Sequence, residues 1–104
     1  MADKQQIATA QANGSSTGIE ISRFAHIGES HLRTLFVGGT FDSAIVKYQL
    51  SPDSTDGVDG NWFDVADADA ITAAKVINVE HRAMWHRINV ASGLGSEAID
   101  AWVV

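Results

Sequence analysis

The residues best suited to ligate a metal ion are four histidines: His26, His31, His81 and His86. Zinc sites place histidines at close, defined spacing and add a third and a fourth ligand. His81 and His86 are five positions apart, which on one strand points them to opposite faces. A tight turn through residues 82–85 would instead let them face each other across a hairpin. We expect surface or interface imidazoles rather than a metal site.

The stretch from Asp53 to Asn61 is a second candidate, because it could bind a cation through carboxylates. Calcium loops place oxygen ligands at alternate positions around a glycine and close with a glutamate. Here Asp53, Asp56 and Asp59 fall every third residue, and no closing glutamate follows. We predict a solvated hairpin loop in which Asp, Gly and Asn serve turn geometry, with weak cation binding as the alternative.

Catalytic patterns are missing from the sequence. No serine lies in a G-x-S-x-G elbow, and the Gly38-Gly39 pair lacks the spacing that cradles phosphates. The carboxylates of Asp64, Asp67 and Asp69 could act as an acid/base group, but acids clustered in one loop usually face water. The sequence therefore predicts a protein that is not an enzyme and uses no cofactor and no metal.

Composition narrows the class of protein further. A chain of 104 residues fits one domain, and the lack of cysteine removes disulfides and thiolate sites. The net charge of −6 is concentrated between Asp42 and Asp69, where seven acids accompany only Lys47. An acidic middle argues against a nucleic-acid partner. The first residues do not read as a signal peptide and no apolar run could span a membrane, so we expect synthesis in a cytoplasm and no membrane partner.

Hydrophobic periodicity predicts strands throughout. Apolar residues alternate with mostly polar ones in several segments, and turn residues interrupt them about every ten positions. The apolar sets are Ala44, Val46, Tyr48 and Leu50; Ile19 and Ile21; Ile77 and Val79; Ile88 and Val90; and Ile99, Ala101 and Val103. Short strands at this spacing predict an all-β, compact antiparallel β-sandwich, immunoglobulin-like or related.

Three segments depart from simple alternation. Leu35, Phe36 and Val37 are consecutive, which suggests burial on both sides or a neighbouring chain that covers one side. The run 66–74 is rich in Asp and Ala and is expected to be a loop with one helical turn. Residues 1–16 are interpreted as an N-terminal arm or an edge strand, with the sandwich domain over 17–104.

The three tryptophans have two interpretations. Trp62 begins the run NWFDV, which we interpret as a core strand, and Trp102 could cover an edge or meet a partner. Aromatic residues in so small a chain are mostly core, whereas exposed ones beside the acidic loop could stack on sugars.

The run from Gly39 to Val65, GTFDSAIVKYQLSPDSTDGVDGNWFDV, resembles a pattern of small structural proteins of tailed bacteriophages. In that pattern a glycine turn leads to a strand ending in Q-L-S-P-D, and W-x-D-V follows a loop. Val79, Arg87, Val90 and Gly93 before a last strand also resemble the end of the family, so the resemblance covers about residues 38–104. The loop at 54–60 is longer than the family's short turn.

The resemblance implies a virion component made in the host cytoplasm. The expected role is a capsid decoration or cement protein, most plausibly a homotrimer, that bridges subunits of the major capsid protein on the capsid surface. Edge character and the enrichment of Arg and Trp at interfaces suggest these contact residues: Ile7, Thr9, His81, Arg82, Trp85, Arg87 and Trp102. The alternative is a receptor- or glycan-binding module of a head fibre or tail, with tryptophans as platforms.

Overall fold

Alternation of apolar and polar residues produces nine short strands in the part of the chain that the structure describes. The structure is a computed structural model, and it describes residues 5–20, 33–80 and 83–104. The strands are β1 (Gln5–Gln11), β2 (Gly14–Ser15), β3 (Ile19–Glu20), β4 (Arg33–Thr40), β5 (Ile45–Ser51), β6 (Phe63–Asp64), β7 (Lys75–Val79), β8 (Trp85–Ala91) and β9 (Ala98–Val103).

The strands form two antiparallel sheets that pack as a β-sandwich, which confirms the predicted fold class. Sheet A has the order β1-β9-β4-β7. Sheet B has the order β2-β8-β5-β6, and β3 also pairs with β8 beyond β2. The expected helical turn is also confirmed, since residues Ala66–Ala68 form a single 3₁₀ turn.

The core lies between the sheets and contains most of the residues that alternation placed inward. Ile19 is half-buried against this core, and Ile21 lies outside the described residues. In β4, β8 and β9, and in β5 as far as Leu50, the buried positions alternate with exposed or half-buried ones. The apolar residues predicted to point inward from 44 to 50, 77 to 79, 88 to 90 and 99 to 103 are all buried. The hydrophobic pattern therefore fixes the register of these strands, because a shift of one residue would expose the whole set.

Residues 5–11 are an edge strand of the sandwich rather than an arm. Strand β1 pairs with β9, from Gln5 opposite Val103 to Gln11 opposite Ile99, with register shifts on either side of Ala8. These irregularities allow Ile7 and Ala8, which are consecutive, both to be buried.

Two aromatic segments differ from the sequence prediction. The NWFDV run is not a core strand, because β6 spans two residues at the edge of sheet B and Phe63 is 59% exposed. Only Val65 of that run is buried. In the run Leu35-Phe36-Val37 the outer residues are buried and Phe36 is 38% exposed, so the run is buried on one side only.

Candidate functional site

The predicted contact residues do not form one surface. Trp85 and Arg87 lie on the outer face of sheet B, whereas Trp102 lies on the outer face of sheet A. Thr9 is exposed on β1, but Ile7 is 3% exposed. Ile7 therefore contributes to the core and is not available to a partner. His81 and Arg82 lie outside the described residues, as do His26 and His31.

The outer face of sheet A carries an apolar stripe. Phe36 on β4 lies directly opposite Trp102 on β9 and directly opposite Val76 on β7. The three side chains thus follow one line across three neighbouring strands. Trp102 is half-buried, while Phe36 and Val76 are 38% and 60% exposed. Exposed apolar groups in contiguous rows mark interaction surfaces more often than scattered ones do.

The sequence pattern indicates two members of this stripe but not Val76. The consecutive apolar residues at 35–37 and the position of Trp102 pointed to two of its members. The signal for Val76 is that it interrupts an otherwise clean alternation, since it stands on the outward side beside inward-facing Ile77.

The outer face of sheet B is polar and hydrogen-bonded across its strands. Gln49 on β5 donates through Nε2 to Oδ1 of Asp64 at 2.9 Å, and its Oε1 accepts from Nε of Arg87 at 2.8 Å. One rung further along, Nδ2 of Asn89 donates to Oγ of Ser15 at 2.8 Å. This face therefore carries a network of polar side chains, whereas the outer face of sheet A carries the apolar stripe.

Trp62 is fixed against this polar face. Its Nε1 donates to the carbonyl of Asp59 at 3.0 Å, and the guanidinium carbon of Arg87 lies 4.2 Å from the centroid of its ring. A Cβ atom on Gly18 would lie 2.6 Å from Cη2 of the indole. The ring therefore connects the acidic loop, strand β8 and the segment before β3.

The carboxylates of the acidic loop are used to order the loop. Asp59 accepts from the N–H groups of Thr55 and Asp56 and from the hydroxyls of Ser54 and Thr55. Asp56 accepts from the N–H groups of Val58 and Asp59. The donors around Asp59 hold its pKa well below the ordinary range. These bonds are the turn role that the residue types predicted.

Asp53 closes the same loop at its far end. Its Oδ1 accepts from the backbone N–H of Asn61 at 2.8 Å, and its Oδ2 accepts from Nδ2 of Asn61 at the same distance. These bonds lower the pKa of the Asp53 carboxyl. The loop is therefore a self-ordered unit instead of a freely solvated turn.

His86 is completely buried, so the expectation of a surface or interface imidazole is wrong for this residue. Its Nδ1 lies 2.6 Å from the hydroxyl of Tyr48, and its Nε2 lies 2.8 Å from Oε1 of Gln5. Nε2 of Gln5 donates to the carbonyl of Glu20, which orients Oε1 toward the imidazole. The His86 Nε2 must then carry the proton, and Nδ1 accepts from Tyr48.

Arg33 extends this chain, because its Nε donates to the Tyr48 hydroxyl at 3.4 Å. Arg33 and Gln5 belong to sheet A, while Tyr48 and His86 belong to sheet B, so the chain of hydrogen bonds joins the two layers. Burial and the Arg33 charge lower the pKa of His86 to about 3. Burial raises the pKa of Tyr48 to about 12. Both groups are neutral near pH 7, and the arrangement is structural polar packing.

A shallow concavity of about 360 Å³ lies beside β6, at the edge of sheet B. Its lining is mostly apolar and comprises Leu50, Pro52, Phe63, Asp64, Val65, Ala66 and Ala83. Asp64 is the one ionisable group among the described residues of this lining, and it already accepts a hydrogen bond from Gln49. The described residues therefore place no acid/base pair in the concavity.

Within residues 5–20, 33–80 and 83–104, no three His, Asp or Glu side chains are grouped so that they could hold a metal ion. No helix in the same ranges is long and apolar enough to cross a membrane. Comparison of the chain with protein-family models, with curated proteins and with solved structures found no match.

Proposed function

We propose that this chain is a non-enzymatic structural protein of a bacteriophage particle, a decoration or cement protein that binds the major capsid protein on the head surface. The observation that carries the proposal is the apolar stripe of Trp102, Phe36 and Val76 on sheet A. The resemblance of residues 38–104 to small phage structural proteins supports the choice of partner.

The stripe suits a binding role for a physical reason. The side chains project from three strands of one sheet, so a partner meets a rigid surface and little ordering entropy is lost on binding. Burial of apolar area contributes roughly 25 cal/mol per Å², which for a stripe this small gives modest affinity. Many copies on a repeated lattice, each linked to its neighbours in a homotrimer, would turn modest affinity into stable coverage.

Capsid occupancy tests the proposal. Heads of the phage that encodes the chain would be assembled without this protein and mixed with purified wild type, Phe36→Ser or Val76→Thr. We expect both substitutions to lower occupancy about tenfold or more, since each removes apolar contact from the interface. Native mass spectrometry of the free proteins measures whether the trimer forms.

Leu94→Ser is the matched control, because Leu94 is 76% exposed and lies in the turn before β9, away from the stripe. This variant should occupy heads as wild type does. Circular dichroism and thermal unfolding check that each variant folds. Occupancy that is equal for wild type and for both folded stripe variants would overturn the proposal, as would no binding of wild type.

A further inference from the structure

We infer that the outer face of sheet B carries a second binding site, centred on Arg87, for saccharides that bear a carboxylate. This site lies on the opposite side of the sandwich from the stripe, and it would bind a different ligand from the capsid protein proposed for sheet A. It is formed by Trp62, Trp85, Gln49 and Arg87.

Arg87 is held in one orientation by two contacts. Its guanidinium stacks on the Trp62 ring at 4.2 Å, and Gln49 accepts the hydrogen bond from its Nε at 2.8 Å. Gln49 is itself oriented by Asp64, and Trp62 by the carbonyl of Asp59. An arginine fixed in this way loses little side-chain entropy when it binds a ligand, so it is well suited to ligand binding.

The hydrogen-bond donors on this face are incompletely used. Among the described residues, the Nη groups of Arg87 have no acceptor, because the guanidinium donates to protein only through Nε. The Nε1–H of Trp85 likewise has no acceptor in the described part of the chain. Trp85 and Arg87 are two positions apart on β8, so they share a face at a spacing of roughly 7 Å.

Charge selects an anionic ligand. Lys47 is the other cation that the described residues place on this face, and it already pairs with Asp64 at 3.6 Å. No carboxylate of the described residues pairs with Arg87 within 4.0 Å. A guanidinium presents N–H groups in a planar fork that matches a carboxylate, and a bond between two charged groups is stronger than a neutral one.

The surroundings of Arg87 favour a sugar as the carrier of that carboxylate. Indole rings offer an apolar face on which the C–H groups of a pyranose ring can pack, and Trp85 lies on the same face of β8 as Arg87, two positions away. The side chains of Asn89 and Gln49 lie on the same face and offer polar groups to hydroxyls. An open strand surface also accommodates an extended polymer, whereas a small isolated ligand would need a deeper cavity.

Isothermal titration calorimetry with an oligogalacturonate tests this inference by measuring binding affinity. Wild type should bind the oligomer, and its fully methyl-esterified form, which has the same sugars without charge, should bind about tenfold or more weakly. Arg87→Gln should reduce affinity for the acidic oligomer by a similar factor. Arg87→Lys should recover only part of the loss, because a lysine keeps the charge but lacks the fork.

Lys75→Gln is the matched control, because Lys75 is an exposed cation on β7 of the other sheet. It should leave oligogalacturonate binding unchanged. The inference fails if wild type does not bind, if folded Arg87→Gln binds as wild type does, or if esterification has no effect. Equal or tighter binding of poly-glutamate would also overturn it, since the site would then recognise carboxylates on a peptide. Capsid occupancy of Arg87→Gln separates this site from the stripe, whose function should remain intact.

Discussion

The hydroxyl of Tyr48 donates a hydrogen bond to Nδ1 of His86 across 2.6 Å in the interior of the sandwich. Both side chains project from the inner face of sheet B into the core and are completely buried. Their remaining polar atoms are satisfied from sheet A, by Arg33 and by Gln5. An unpaired polar group in the core costs about 1–3 kcal/mol. Because a shift of one sheet against the other would break these hydrogen bonds, they favour one relative position of the two sheets.

The buried His86 predicts that the protein loses stability in mild acid. The pKa of His86 is about 3 in the folded state, against an ordinary value of 6.5. Between these values the unfolded chain binds one more proton than the folded one, so the free energy of unfolding falls as pH falls. The slope for one group is at most about 1.4 kcal/mol per pH unit. Urea unfolding at pH values from about 7.5 down to about 5 measures it.

His86→Gln is the control for this slope, because it removes the imidazole and keeps a polar side chain. The variant should be less stable at neutral pH and should depend less on pH between about 6.5 and 5. Protonation of the Asp53 and Asp59 carboxyls changes the free energy of unfolding only at lower pH, because their pKa values in the folded state are lowered from 3.8. A slope that is the same in both proteins would exclude His86 as its source.

Alanine substitutions at two positions of strand β1 should differ in their effect on the free energy of unfolding. Ile7 is buried between the sheets and Thr9 is exposed on the same strand. Ile7→Ala should lower the free energy of unfolding by about 2–5 kcal/mol, because it leaves a cavity in the core. Thr9→Ala should change it by less than about 0.5 kcal/mol. Equal effects in denaturant unfolding would mean that this segment is an arm outside the core.

Packing of the acidic loop should make an alanine substitution more destabilising at Gly57 than at Gly95. Gly57 has φ +88° and Gly95 has φ +122°, so alanine is strained at both positions. A Cβ on Gly57 would also collide with the backbone carbonyl of Gly18, whereas nothing lies within 4 Å of one on Gly95. Gly57→Ala should therefore be the more destabilising substitution, by about 1 kcal/mol or more beyond the strain that both share.

Thermal unfolding of the two glycine variants measures this difference. Tryptophan fluorescence should also change in Gly57→Ala, because Trp62 lies against Gly18 and bonds to the carbonyl of Asp59. Equal destabilisation by both substitutions would show that the loop does not pack on the segment before β3.

Alternation predicted the inward faces of the central strands because each of them is buried on one side only. Ile99, Ala101 and Val103 follow that rule without exception. The same rule could have identified His86, which has the inward parity of Ile88 and Val90. Its residue type suggested a surface position, and the partners that satisfy it, Tyr48 and Gln5, lie 38 and 81 positions away in sequence.

The two candidate surfaces could be predicted only in part. Arg87 and Trp62 are distant in sequence and meet because β5 lies between β6 and β8 in sheet B. Periodicity does not give strand order, so neither the Arg87–Trp62 stack nor the line from Trp102 to Val76 could be derived. The prediction that Trp62 begins a core strand is wrong, because an aromatic run has the same sequence pattern at a sheet edge as in its centre.

The position of β9 has a consequence for how the protein folds as it is synthesised. In sheet A, β9 lies between β1 and β4, although it is the last of the nine strands to be translated. Until residues 98–103 leave the ribosome, β1 has no partner among the other strands described, and one edge of β4 is open. Nascent chains would thus expose unpaired edges that can pair with other chains. Aggregation during expression should therefore respond most strongly to substitutions that slow the insertion of this final strand.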